Sequence, residues 1–151
     1  MICEKTVGHF LFSNDKSKLQ VDVIHNYLSK ESYWAKNISM NLVEETIKGS
    51  VCFGVYFEEK QIGYARVITD MASFGYLADV FILEGYRGKG LSKELMAFIM
   101  NFEPLKKLRR FMLATKDAHG LYAQFGFEHL ADPERFMEIK PFESYHNLAL
   151  N

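Results

Sequence analysis

Residues 84–99 read EGYRGKGLSKELMAFI and place three glycines and two basic residues within six positions, just before an apolar helical pattern. Glycine weakens a helix, so its concentration at a helix mouth needs a reason. A glycine-rich turn entering a helix exposes unpaired N–H groups at the positive end of the helix dipole. That chemistry holds anions. With two basic side chains in the turn, the run Arg87, Gly88, Lys89, Gly90, Leu91 and Ser92 suits a pyrophosphate. An ordinary loop with solvated basic residues explains the composition equally well. Spacing excludes two familiar phosphate motifs. A P-loop needs glycine where Leu83 stands, and Ser or Thr where Gly90 stands. The dinucleotide fingerprint needs glycine where Lys93 stands.

Asp79 is a carboxylate inside FGYLADVFIL (74–83), an otherwise nearly all-apolar run. A carboxylate taken out of water gains basicity, so Asp79 is a candidate base; a structural ion pair accounts for it as well. Strict strand alternation puts Asp79 with Phe81 and Leu83, opposite Val80 and Ile82, and a bulge would reverse that order. His25 and His119 are further candidate bases, each also readable as a helix-surface histidine. No His, Cys and Asp cluster has metal-ligand spacing, so no metal is expected. The basic run KKLRR (106–110) reads first as a solvated face and second as a phosphate contact.

These groups need elements to hold them. GHFLFS (8–13) reads as a strand, Leu19–Leu28 as a helix, and Ser39–Lys48 as a second helix with Ser39 as N-cap and Gly49 as its stop. SVCFGVYF and QIGYARVITD flank the polar EEKQ and form a hairpin. The 74–83 run is a central strand buried on both faces. Leu91, Leu95, Phe98 and Ile99 mark one face of a helix. RRFMLAT (109–115) is another strand, DAHGLYAQFGF a short helix stopped by Gly126, and RFMEIK (135–140) an edge strand. The order β-α-α-β-β-β-α-β-α-β describes one α/β (α+β) domain over 1–151, a mixed, mostly antiparallel sheet with helices on both faces.

The chain has 151 residues, 48% hydrophobic and 25% charged, enough for one core in a globular protein. Its net charge of -1 argues against binding nucleic acid by bulk electrostatics. Cys3 and Cys52 make no disulfide framework, and Cys52 reads as a buried hydrophobe. No apolar stretch approaches the roughly 18 residues of a membrane span, and the N-terminus lacks a signal-peptide pattern. A cytoplasmic location without nucleic-acid or membrane partners is expected.

Two segments together resemble the GNAT superfamily of acyltransferases. Its acetyl-CoA signature, Gln/Arg-x-x-Gly-x-Gly/Ala, is matched by Arg87-Gly88-Lys89-Gly90-Leu91-Ser92, with Ser92 one hydroxyl larger than the usual small residue. The later element, roughly Ala-x-x-Leu-Tyr-x-x-x-Gly-Phe, is matched by Ala118, Leu121, Tyr122, Gly126 and Phe127. The resemblance spans nearly the whole chain. It implies direct transfer from acetyl-CoA to a small-molecule or peptide amine, with no covalent enzyme intermediate and no metal. The pyrophosphate would rest on Arg87 to Ser92, and the pantetheine arm would pair with the strand near Phe81 and Ile82. Thr115 stands where the family often has a pantetheine-binding asparagine. Tyr122 matches the family's tyrosine, a candidate acid for the thiolate; as an isolated residue it reads as a core tyrosine. Tyr76 matches a position of family bases and would line the acceptor pocket or hold a water. Tyr33 and Trp34 lie where family acceptor pockets are built, and would select an apolar or aromatic amine or belong to the core. Dimers are common in the family, so a homodimer is compatible with it. The alternative to an enzyme is an acyl-CoA-binding or sensing module of the same fold without catalysis.

Overall fold

The structure, a computed structural model, describes residues 1–140, 144 and 145. Its elements are β1 (Glu4–Val7), β2 (Phe10–Ser13), α1 (Val21–Asn26), α2 (Met40–Lys48), β3 (Val51–Phe57), β4 (Lys60–Thr69), β5 (Phe74–Ile82), α3 (Leu91–Met100), α4 (Glu103–Lys106), β6 (Arg110–Leu113) and α5 (His119–Ala123). The six strands form one sheet in chain order. Every neighbouring pair is antiparallel except β5–β6, which is parallel. No helix among the described residues is long and apolar enough to cross a membrane.

Local chemistry explains most boundaries. Ser39 Oγ accepts from the Leu42 N–H and starts α2, and Gly49 ends it. Glu58 and Glu59 turn the β3–β4 hairpin with φ of 48° and 69°, the primed geometry that matches strand twist. Two segments depart from the sequence reading. Gly8 and His9 form a turn, so the strand placed over 8–13 begins at Phe10, preceded by the short polar strand β1. RFMEIK is not a strand: alternation alone makes none without a partner, and Met137 and Ile139 are 97% and 94% exposed. Phe136 instead lies 4.8 Å under the Arg110 guanidinium.

The sheet separates two helical layers. On one face Ile24 of α1, Leu28 just after it and Val43 of α2 pack with Cys52, Tyr64 and Phe81. On the other, Leu91, Leu95, Met96 and Ile99 of α3 pack with Phe53, Ala65, Val67 and Ile82. Each such aliphatic side chain contributes roughly 1.5–3 kcal/mol by leaving water. The core therefore fixes α3, and with it the glycine turn at its mouth.

Two irregularities in β5 shape the site. Arg66 pairs with Ala78 and Tyr64 with Phe81, so Asp79 and Val80 together face Ala65 alone. This is a bulge, and Asp79 makes it at φ 54°. Parity reverses there. Tyr76, Ala78 and Phe81 share the α1/α2 face, while Ile82 belongs to the α3 core, so Tyr76 and Ile82, six residues apart, lie on opposite faces. The second irregularity is that β5 and β6 pair only from Phe74–Arg110 to Leu77–Leu113. β5 runs on to Ile82 after β6 has stopped, which leaves β5 an edge that β6 does not cover.

Candidate active site

Where β5 and β6 part lies a cavity of about 510 Å³. Its walls include Tyr76 and Asp79 from β5, Thr115 from the turn after β6, Tyr122 from α5, and Tyr33 and Trp34 from the loop before α2. Residues scattered from 33 to 122 thus meet at one place.

Tyr122 is 8% exposed, with its ring edge-on to Phe127 at 6.1 Å. Among the described residues its hydroxyl has no protein hydrogen-bond partner, and its oxygen opens on the cavity instead of being sealed in the core. Burial pushes its phenol up to about 12, with Tyr33 and Asp117 adding to the effect. The hydroxyl is protonated at neutral pH. α5 is held in place by Thr115, whose Oγ1 accepts from the Ala118 N–H at 3.0 Å. The Thr115 hydroxyl hydrogen is left to donate elsewhere.

Asp79 is an ion-pair member. Its Oδ2 accepts from Arg66 Nε at 2.6 Å and its Oδ1 from Trp34 Nε1 at 2.7 Å. The two charged side chains are only 9% and 14% exposed. Arg66 also donates to Ser50 Oγ, just before β3, at 3.0 Å, which ties β4 and β5 to the entry of β3. Each carboxylate oxygen accepts one bond and keeps capacity for another. Trp34 is thereby tethered to β5. Its neighbour Tyr33 is tethered to the other side of the slot, because Tyr33 Oη accepts from the Lys116 N–H at 3.0 Å. The two rings meet edge-to-face at 5.0 Å.

The glycine turn lies beyond the far end of β5. Gly88 and Gly90 have φ of 81° and 75°, which L side chains rarely adopt. A Cβ on either would meet nothing within 4 Å, so backbone conformation demands glycine there and the adjoining space is open. Among the described residues the N–H groups of Gly88, Lys89, Gly90, Leu91, Ser92 and Lys93 donate to no protein acceptor; the α3 ladder begins with the Glu94 N–H to the Gly90 carbonyl. The turn thus fits a pyrophosphate. Arg87 is employed differently. Its N–H donates to the Glu84 carbonyl at 3.2 Å. Its guanidinium donates to the Ile82 carbonyl and to Tyr27 Oη, each at 3.0 Å, and Tyr27 stacks on Phe81 at 4.0 Å. Arg87 therefore anchors the turn to β5 and to the residue that follows α1.

Other candidates lie elsewhere. KKLRR ends at Arg110, which pairs with the first residue of β5, at the opposite end of that strand from the turn. His25 Nε2 is 3.0 Å from the Ile38 carbonyl, and His119 is exposed beside His129. Arg66 escaped the sequence reading. The signal was there, since it is the one charged residue between Lys60 and Asp70 in an apolar strand and needs a buried partner.

Comparison with known proteins places this geometry. The acetyltransferase (GNAT) domain family matches residues 48–129, a stretch that runs from the end of α2 past α5. A Gibberella zeae protein provisionally named acetyltransferase FG08082 is 32% identical over 139 residues, covering 79% of this chain and 78% of that protein. The crystal structure of a provisionally named GNAT-family acetyltransferase from Xanthomonas campestris pv. campestris superposes with a TM-score of 0.86 at 46% identity, over 89% of this chain and 95% of that one. At the level of fold alone, an acetyltransferase from Clostridium acetobutylicum crystallised with acetyl-CoA aligns with a TM-score of 0.60 at 15% identity, over 93% and 96% of the two chains. The turn at α3, the parting of β5 from β6 and Tyr122 all fall inside the matched stretch, and the chain belongs to the GNAT acetyltransferase family.

Proposed function

We propose that this protein is an N-acetyltransferase that moves an acetyl group from acetyl-CoA directly to an amine bound in the same cavity. The observation that carries the reading is the Tyr122 hydroxyl, which is protonated, has no protein partner among the described residues and opens from a buried ring onto the slot where β5 and β6 part. In the substrate complex the free N–H groups of Gly88 to Lys93 hold the pyrophosphate. The uncovered edge of β5 near Phe81 and Ile82 receives the pantetheine arm as an added strand would be received. A backbone N–H near Ile82 is available to the thioester oxygen, and the Thr115 hydroxyl to the arm.

The amine nitrogen bonds the acetyl carbon, the carbon–sulfur bond breaks with its electron pair on sulfur, Tyr122 gives sulfur a proton, and the nitrogen releases one. Of the two carboxylates lining the cavity, Asp79 and Asp117, Asp79 in the β5 bulge is our candidate to take that proton and pass it to solvent. A phenol near 12 protonates a thiolate of ordinary pKa, about 8.5, only against a gradient, so Tyr122 hydrogen-bonds sulfur first and yields its proton as the bond breaks. Tyr122 recovers its proton from solvent.

Calorimetry with acetyl-CoA, followed by thiol release across an amine panel, tests the reading. Binding with amine-dependent thiol release supports it. Binding without release from any amine supports a CoA-binding module instead, and no binding at high micromolar ligand removes both.

A further inference from the structure

The acceptor end of the cavity is built from rings that are exposed yet held still. Tyr33 and Trp34 are 54% and 41% exposed, and each has its polar atom tied down, one to the Lys116 N–H and the other to Asp79. Rings left in water normally keep rotamer freedom; these have given it up before any ligand arrives, which lowers the cost of binding against them. Set edge-to-face at 5.0 Å, they form a corner with two aromatic walls. Beside that corner stands Asp79, with bonding capacity left on both oxygens. The charges lining the cavity cancel, Arg66 and Lys116 against Asp79 and Asp117.

Resting on the acetyltransferase reading above, we infer that the acceptor is a primary amine carried on an aromatic body by a short alkyl link, its ring in the Tyr33–Trp34 corner and its ammonium on Asp79. Ring-on-ring contact favours this ligand, and with Lys116 Nζ already 5.5 Å from the Tyr33 ring centroid, the ligand's ammonium goes to Asp79 and not to that ring face. A polyamine finds no net negative charge to hold its several cations, and an amino sugar sets its hydroxyls against ring faces. Arg66 is then a positioning residue: through Asp79 it fixes both the ammonium anchor and the Trp34 wall.

Trp34 is the one tryptophan in the chain, so its fluorescence reports on this corner alone. Phenethylamine, butylamine, glucosamine and spermidine are titrated into the protein saturated with CoA, where no turnover occurs. Phenethylamine is expected to shift Trp34 emission saturably, at a Kd at least about tenfold below those of the other three, and Tyr33→Ala to raise that Kd by about tenfold. Phenethyl alcohol is expected to bind about tenfold more weakly than phenethylamine to the native protein, and Asp79→Asn to erase that difference. Tyr33 is half exposed, and a thermal melt confirms that the variant is folded. The inference is overturned if glucosamine or spermidine binds as tightly as phenethylamine, or if folded Tyr33→Ala binds phenethylamine unchanged. Turnover of those other amines alone would overturn the inference and leave the acetyltransferase reading standing. Absence of CoA binding would remove that reading, and this inference with it.

Discussion

Tyr122→Phe removes one oxygen from the cavity wall, and the structure fixes two separate consequences. The hydroxyl has no protein partner among the described residues, so its loss breaks no hydrogen bond. The oxygen opens on the cavity, where water can bond it, and the buried side-chain atom without a partner among the described residues is Tyr56 Oη instead. Phenylalanine keeps the edge-on contact with Phe127 and the same burial. Folding stability should therefore hold within about 0.5 kcal/mol, seen as an unchanged urea midpoint. Catalysis should move the other way. Loss of a positioned general acid costs about 10²–10⁴ in rate, or roughly 3–5 kcal/mol of transition-state stabilisation. Because the hydroxyl acts on sulfur as the bond breaks, kcat should fall while acetyl-CoA affinity by calorimetry stays within about threefold. Single-turnover thiol release measures the first quantity directly. A variant as stable as the native protein with a rate within threefold of it would refute the acid role. A variant that is destabilised by more than about 1 kcal/mol would refute the unpartnered hydroxyl.

Further outcomes follow from other features. Gly90→Val should cost about 1–2 kcal/mol of stability, because Gly90 has φ 75° with open space around it, and should abolish acetyl-CoA binding; unchanged affinity by calorimetry would remove the turn from the site. Asp79→Asn breaks a pair whose side chains are 9% and 14% exposed and should lower stability by about 3 kcal/mol in urea, with part recovered by adding Arg66→Met; a change below about 1 kcal/mol would mean that the pair is not a buried one. For pH, Tyr122 acts in its protonated form and titrates at about 12, so kcat/KM should rise as the amine loses its proton and show no falling limb up to pH ~10; a falling limb that Tyr122→Phe removes would contradict this. The folded-state phenols of Tyr56, Tyr64 and Tyr122 are all raised above the ordinary value by burial. Their contribution to stability is complete below pH ~10 and is lost as pH climbs through the raised values, so the urea midpoint should hold up to pH ~10 and drop between about pH 10 and pH 12; a constant midpoint would show those rings to be solvated.

What could be read ahead of the structure was whatever has a local cause. Ser39, Gly49 and the paired glycines at 88 and 90 act on their own backbone or on the next turn, so sequence exposes them. The apolar runs announced β3, β4, β5 and the buried face of α3. Features made by partners were hidden. RFMEIK alternates as a strand should, yet it pairs with no strand among the described residues, whereas the polar EKTV becomes β1 because β2 lies beside it. The bulge was the largest blind spot. Asp79 takes φ 54° without being glycine, because Arg66 and Trp34 hold its side chain, and a partner at position 34 or 66 cannot be inferred from the neighbours of position 79. Residue by residue, the cradle was legible, but the employment of Arg87 was not. A basic residue in a phosphate-like turn reads as a phosphate ligand, and only its contacts with Ile82 and Tyr27 show it as an anchor.

The central claim is acetyl transfer to an amine at the slot between β5 and β6. Its most direct measurement is mass spectrometry of the product formed from acetyl-CoA and a candidate amine, run beside a quantitative assay for the freed thiol. Acetylated amine and free CoA should form in equal amounts, both lost together in Tyr122→Phe. Free CoA without acetylated amine, or acetylated amine at the same rate in both proteins, would contradict it.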